Sequence, residues 1–223
     1  MICVDPSEKK EILIWGKKNN FEINKFIFNN KPSYVLPKVA QINPKKLMIS
    51  LKKYILDELN PDIFFFGCSD NEHEISAQDI IDTYNPKLYK IREYTQQVQK
   101  EIIDAYGGYD FKNVRLAKGS PIQILSQYYN MYNANLLKSQ YEKDNNFTYD
   151  MVMRLRADYY FWRKISDEEL KIEENKVYIP DIWNFGGVSS GFAFGKSSVM
   201  DQYSSLFYCM KRYNIHDGCI FHP

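Results

Sequence analysis

The chain has 223 residues, enough for one sizeable core, with 29 Lys and Arg against 28 Asp and Glu for a net charge of +1. That balance gives no global support for binding a nucleic acid backbone or an anionic membrane, and no stretch approaches the roughly 18 apolar residues a membrane span needs. Cys3, Cys68, Cys209 and Cys219 form no CxxC pair, so neither a zinc ribbon nor a redox motif is expected; with no leader-like opening, the expectation is a cytoplasmic protein with reduced core thiols.

In chain order, residues 11–15 read as a short strand closed by the polar, positive turn Gly16-Lys17-Lys18-Asn19. Residues 21–39, with Asn pairs, Pro32 and Pro37, give no assignable element. Asn43-Pro44 starts a helix in which Met48, Leu51, Ile55 and Leu59 share a face, and Asn60-Pro61 stops it. A strand over 62–66 follows, its Phe64-Phe65-Phe66 run suited to a strand covered on both faces, and Gly67 to Glu72 is a loop at its end. Ser76 caps a helix through Tyr84 that Asn85-Pro86 ends, and 87–91 is a further strand. Residues 94–120 are polar and carry no assigned element.

The second half is more regular. Ile122, Leu125, Tyr129, Tyr132, Leu136 and Leu137 follow helical spacing from Pro121 to about Lys143. Then Tyr149, Met151, Met153 and Leu155 alternate with Asp150, Val152, Arg154 and Arg156, as in a strand with one packed face and one polar face. Residues 176–180 form another strand, and after a glycine-rich turn comes a helix carrying Val199, Met200, Tyr203, Leu206, Phe207 and Met210. Strands alternating with helices predict a single α/β domain.

Charges gather at the C-terminal end of the 149–156 strand, the end that opens onto the ligand crevice of open α/β sheets, so Asp158 can reach a metal ion or a nucleotide. A structural ion pair between Arg156 and Asp158 would account for the same residues. Lysines 17 and 18 can meet a nucleotide or simply be solvated.

The run Ser126-Gln-Tyr-Tyr-Asn-Met-Tyr132, the segment Tyr149-Asp-Met-Val-Met-Arg-Leu-Arg-Ala-Asp-Tyr-Tyr-Phe161, the Val177-Tyr-Ile-Pro-Asp181 strand and Asn184-Phe-Gly-Gly-Val-Ser-Ser-Gly-Phe-Ala-Phe-Gly195 with Met200 resemble GT-A-type glycosyltransferases, the poorly characterised kind found in large DNA viruses, algae and bacteria. Leu51 to Phe66 resembles their early helix and second strand, and the likeness runs from Asn43 to the end, with residues 1–42 matching poorly. It implies one GT-A-like (Rossmann-like) domain over 1–223, a mixed, mostly parallel sheet flanked by helices, and transfer of a sugar from a nucleotide-sugar donor, UDP-linked, to a glycan or glycoprotein acceptor. Arg156-Ala-Asp158 stands where such enzymes carry DxD, so Asp158 would hold Mn²⁺ or Mg²⁺ with the donor diphosphate while Arg154 and Arg156 contact its oxygens and Lys17 approaches the nucleotide.

His222 lies where a late His often joins the metal; relatives usually run on past this His-Pro, so truncation is expected, with His216 and Asp217 as fallback ligands. The segment 186–195 is the expected acceptor wall, and Ser190 stands where family members often carry the acid that would serve as base, leaving Asp181 as the nearest substitute. That departure keeps open a non-catalytic nucleotide-sugar or glycan-binding module on the same fold. A viral source would place the protein in host cytoplasm.

Overall fold

The computed structural model describes residues 2–3, 22–26, 49–69, 76–108, 121–156, 160–161, 163–180, 191–209 and 220–221, and all that follows refers to these. In chain order they form β1 (Ile2–Cys3), β2 (Glu22–Phe26), the helix α1 over 49–59, β3 (Phe64–Ser69), α2 (Ala77–Tyr84), β4 (Leu88–Glu93), α3 (Gln96–Tyr106) and α4 (Pro121–Asn145). Then come β5 (Val152–Leu155), β6 (Lys176–Pro180), β7 (Phe192–Gly195), α5 (Ser197–Ser204), α6 (Leu206–Cys209) and β8 (Ile220–Phe221).

Local chemistry explains most boundaries. In α1, whose Lys52–Leu56 turn is π-wound, Leu51 and Ile55 are buried, and Asn60 closes it in the left-handed conformation that asparagine tolerates. Ser76 caps α2 by a reciprocal box with Asp79, and Asn85 ends it with φ 43°. The helix α3 was not expected from its polar residues, yet the Thr95 hydroxyl accepts from the Val98 N–H and Gly107 ends it at φ 108°, with Val98, Ile102 and Tyr106 buried at a spacing of four. The strand β3 runs on through Gly67, Cys68 and Ser69, which had read as loop, because each pairs with β4. Ser205 divides the single helix expected after Gly195 into α5 and α6.

A four-stranded sheet has the order β2-β6-β7-β5, and β3 with β4 forms a separate parallel pair. The expectation of a mostly parallel sheet is corrected among the described residues: β2 is parallel to β6, but β7 runs antiparallel to both neighbours, as does β1 to β8. The cause is β7, which returns between β5 and β6. Gly195 lets it do so, since a Cβ there would lie 2.8 Å from the Lys176 carbonyl oxygen.

The polypeptide is layered about the central sheet. Val177, Ile179 and Ala193 pack with Ile124, Tyr128 and Met131 of α4, Val199, Met200 and Tyr203 of α5, and Phe207 of α6. On the opposite face, Met153 and Leu155 of β5 meet Leu51, Ile55 and Tyr84 together with Phe161 and Ile165. Both faces of β5 are therefore covered, which corrects the expectation of one polar face: Val152 joins the α4 cluster, and Arg154 stands opposite Ala193 on that side.

A polar clasp crosses the first cluster. Lys138 Nζ donates to Glu142 Oε2 (2.9 Å), Ser197 Oγ (2.6 Å) and Asp201 Oδ1 (2.7 Å), while Ser197 Oγ and the Tyr149 N–H both donate to Glu142 Oε1 (2.7 and 2.9 Å). It joins α4 to the start of α5 and to the approach to β5.

In the second cluster the Tyr84 hydroxyl is buried with no hydrogen-bond partner among the described residues, and burial pushes its pKa up to about 12. Folding then favours the protonated phenol, so its contribution is complete below pH ~10 and is lost as pH rises through about 12. Alkaline titration of unfolding free energy should show wild type losing on the order of 2 kcal/mol more than Tyr84→Phe between those limits. Superimposable curves would show that the hydroxyl is solvated.

Candidate functional site

The strand directions define the rim at which the charged end of β5 sits. Phe64 at the start of β3 packs on Tyr141 near the end of α4, and Phe66 packs on Tyr129 nearer its beginning, so α4 runs antiparallel to β3. The same holds for β5: Tyr149, ahead of the strand, bonds Glu142, and Arg156, just past it, bonds Gln127. The C-terminal ends of β3, β4 and β5 therefore lie at one end of α4, the end where α/β sheets open to ligands.

Two arginines converge there on one backbone oxygen. The Arg156 N–H donates to the Gly191 carbonyl (3.0 Å), extending the β5–β7 ladder by one bond, and Arg154 Nη1 donates to the same oxygen (3.2 Å). Arg156 Nη1 also reaches Gln127 Oε1 (3.4 Å). Both arginines are half-buried. Opposite Arg154, Ala193 is fully buried and small, which leaves room for the long side chain to lie along the sheet. The Nη1 donors of Arg154 and Arg156 belong to planar, permanently charged guanidiniums in a partly desolvated setting, a chemistry suited to phosphate or carboxylate oxygens, whereas the Arg156 bond to Gly191 is made by its backbone amide.

A third arginine, which sequence reasoning passed over, lies along the same rim. Arg92, at the end of β4, is held between the rings of Phe66 (5.1 Å) and Tyr129 (5.5 Å) and pairs with Glu101 (3.1 Å). Beside it, burial pushes the Cys68 thiol up, partly opposed by the Arg92 charge and a hydrogen bond from it. About one turn of α4 thus makes three contacts along this rim: Ser126 meets Tyr94 (3.4 Å), Gln127 meets Arg156 and Tyr129 meets Arg92.

Of the expected site residues, Arg154 and Arg156 are brought together; Asp158, Asp181, Ser190, Lys17 and His222 lie outside the described residues, as do Lys18, His216 and Asp217. Among the described residues no three His, Cys, Asp or Glu side chains gather as a metal site. Gln127 was visible in the Ser126 to Tyr132 run, but nothing in its helical spacing marks a partner on a strand 29 residues away.

A family model described as a domain of unknown function (DUF7796) matches residues 49–211. The chain belongs to this family. The matched span begins at α1 and takes in α4, both arginines, Gly191 and all of β7, so the DUF7796 domain contains the rim just described. No curated protein and no solved structure matches the chain. No helix among the described residues is long and apolar enough to cross a membrane.

Proposed function

We propose that this protein is a metal-assisted glycosyltransferase of GT-A type, moving a sugar from a UDP-linked donor to a glycan or glycoprotein acceptor. The observation that carries the reading is the placing of two half-buried arginines at the C-terminal end of β5, Arg154 with its guanidinium on the Gly191 carbonyl and Arg156 with its backbone N–H on the same oxygen and its guanidinium toward Gln127, a pair of charges suited to diphosphate oxygens. The sequence likeness on either side of β7 and within it supports the same reading.

Asp158, two residues beyond Arg156, would hold Mn²⁺ or Mg²⁺, with His222 as second ligand; bound there, the ion would supply Lewis-acid neutralisation of the departing diphosphate. The work of this chain's own arginines is to orient that diphosphate and offset its charge. Asp181 is the proposed proton acceptor for the acceptor hydroxyl, substituting for the acid that Ser190 replaces in the acceptor-wall segment. A cytoplasmic location belongs to the same proposal.

Titration of UDP in the presence of Mn²⁺ into Asp158→Ala should show metal-dependent binding abolished with the melting temperature unchanged; binding at wild-type strength would refute the assignment. Ser190, in place of an acid, favours the second reading of a non-catalytic nucleotide-sugar module. Incubation with a panel of nucleotide sugars separates the two: metal-dependent UDP binding without hydrolysis or transfer selects the module.

A further inference from the structure

We propose that Ser50 is a positioning residue for Asp158, its buried hydroxyl anchoring the chain three residues past that carboxylate, an inference that rests on reading Asp158 as the metal ligand. The described residues on either side of Asp158 meet at one place. Leu155, the last residue of β5, pairs with Phe192, and Leu155 and Phe161 pack against the same apolar cluster of Leu51, Ile55 and Tyr84. The Phe161 ring also meets that of Phe192 (6.3 Å), the residue paired with Leu155.

A backbone amide fixes each side. Upstream, the Arg156 N–H donates to the carbonyl of Gly191 (3.0 Å), next to Phe192; downstream, the Phe161 N–H donates to Ser50 Oγ (3.2 Å), 111 residues away in sequence. Only residues 157–160 separate the two bonds. A link closed at both ends has far fewer conformations than one closed at a single end, so the Ser50 bond lowers the entropic cost of holding an ion on that link.

The anchor stands on a fixed support. Ser50 is 4% exposed in the first turn of α1, and Leu51 and Ile55 bury the same helix. A hydroxyl accepts from an N–H while keeping its own hydrogen to donate, so Ser50 can hold Phe161 whatever else it bonds. Farther along, Lys164 Nζ meets Glu58 Oε1 (2.6 Å) near the other end of α1, and Ile165 packs on the cluster, so the chain after Phe161 follows the helix. That ion pair is open to solvent and contributes little. The bond to the buried Ser50 hydroxyl is the one that fixes the link.

Two measurements on the full chain separate holding from positioning: hydrogen exchange of the Phe161 amide, and the Mn²⁺ concentration that gives half-maximal UDP binding in calorimetry. Ser50→Ala keeps a good helix former and removes the acceptor. It should speed Phe161 exchange about tenfold and raise the Mn²⁺ requirement about tenfold, with UDP binding at saturating Mn²⁺ retained. Ser50→Cys, which fills the site but accepts weakly, should shift both in the same direction, and Lys164→Ala should shift neither. A merely structural serine would lower the melting temperature and leave the Mn²⁺ requirement at its wild-type value. That result, or unchanged Phe161 exchange in Ser50→Ala, overturns the proposal. If Mn²⁺ gives wild type no added UDP affinity, the metal reading fails instead, and the exchange rate still decides whether Ser50 holds the chain.

Discussion

Glu142→Ala is expected to lower the free energy of unfolding by about 3–5 kcal/mol, the range for breaking a buried charge pair from one side. Glu142 takes hydrogen bonds from Lys138, Ser197 and the Tyr149 N–H, and the Lys138 and Glu142 side chains are only 4 and 11% exposed. Removing the carboxylate leaves the buried Lys138 ammonium with the half-exposed Asp201 as its remaining counter-charge and the Ser197 hydroxyl short of an acceptor, and frees the backbone just before β5. Lys138→Met should be similarly costly. The double variant Lys138→Met, Glu142→Leu should lose less than the sum of the two single changes by at least about 1 kcal/mol, since it removes both charges together. Urea unfolding of the four proteins measures this cycle. Additive losses would mean that water already screens the pair.

Phe207→Ala should cost about 3–5 kcal/mol through the void it leaves. Phe207 is fully buried, and its ring meets Tyr106 (5.8 Å) from α3, Tyr129 (5.4 Å) and Tyr132 (6.4 Å) from α4, and Tyr208 (5.0 Å). Phe207→Leu, which retains most of the volume, should cost less than about 1.5 kcal/mol. The difference between the two variants in denaturant midpoint is the test, and equal losses would show that ring geometry outweighs volume. Tyr129 also flanks Arg92, so the alanine variant should loosen the rim as well as the core.

Where a segment's own residues decided its structure, the sequence was readable. Pro121 and the spacing of Ile122, Leu125 and Tyr129 marked α4; Ser76 and Asn85 bracketed α2; Val177 and Ile179 marked β6. The β2 strand was missed because Glu-Ile-Asn-Lys-Phe has no apolar run and pairs with β6 some 150 residues away, a register that only tertiary structure supplies. The helix α3 was passed over because its polar residues outnumber the three that are buried, although Thr95 and Gly107 were fair punctuation.

The site was legible to the same extent. Alternation placed Arg154 and Arg156 on one face of β5: Arg156 Nη1 reaches Gln127 of α4, and Arg154 stands opposite Ala193, which packs in the α4 cluster. It could not show that this face lies under α4, because Gln127 and Ala193, which cover it, come from distant parts of the chain.

The enclosure of β7 has an evolutionary corollary. All four of its residues are buried, and both of its edges are hydrogen-bonded to neighbouring strands. Drift within it is confined to exchanges that conserve volume, and at Gly195 not even a methyl group fits against Lys176. Substitution in this part of the chain is therefore accommodated more readily outside β7 than within it, which makes the strand a poor place to introduce new side chains.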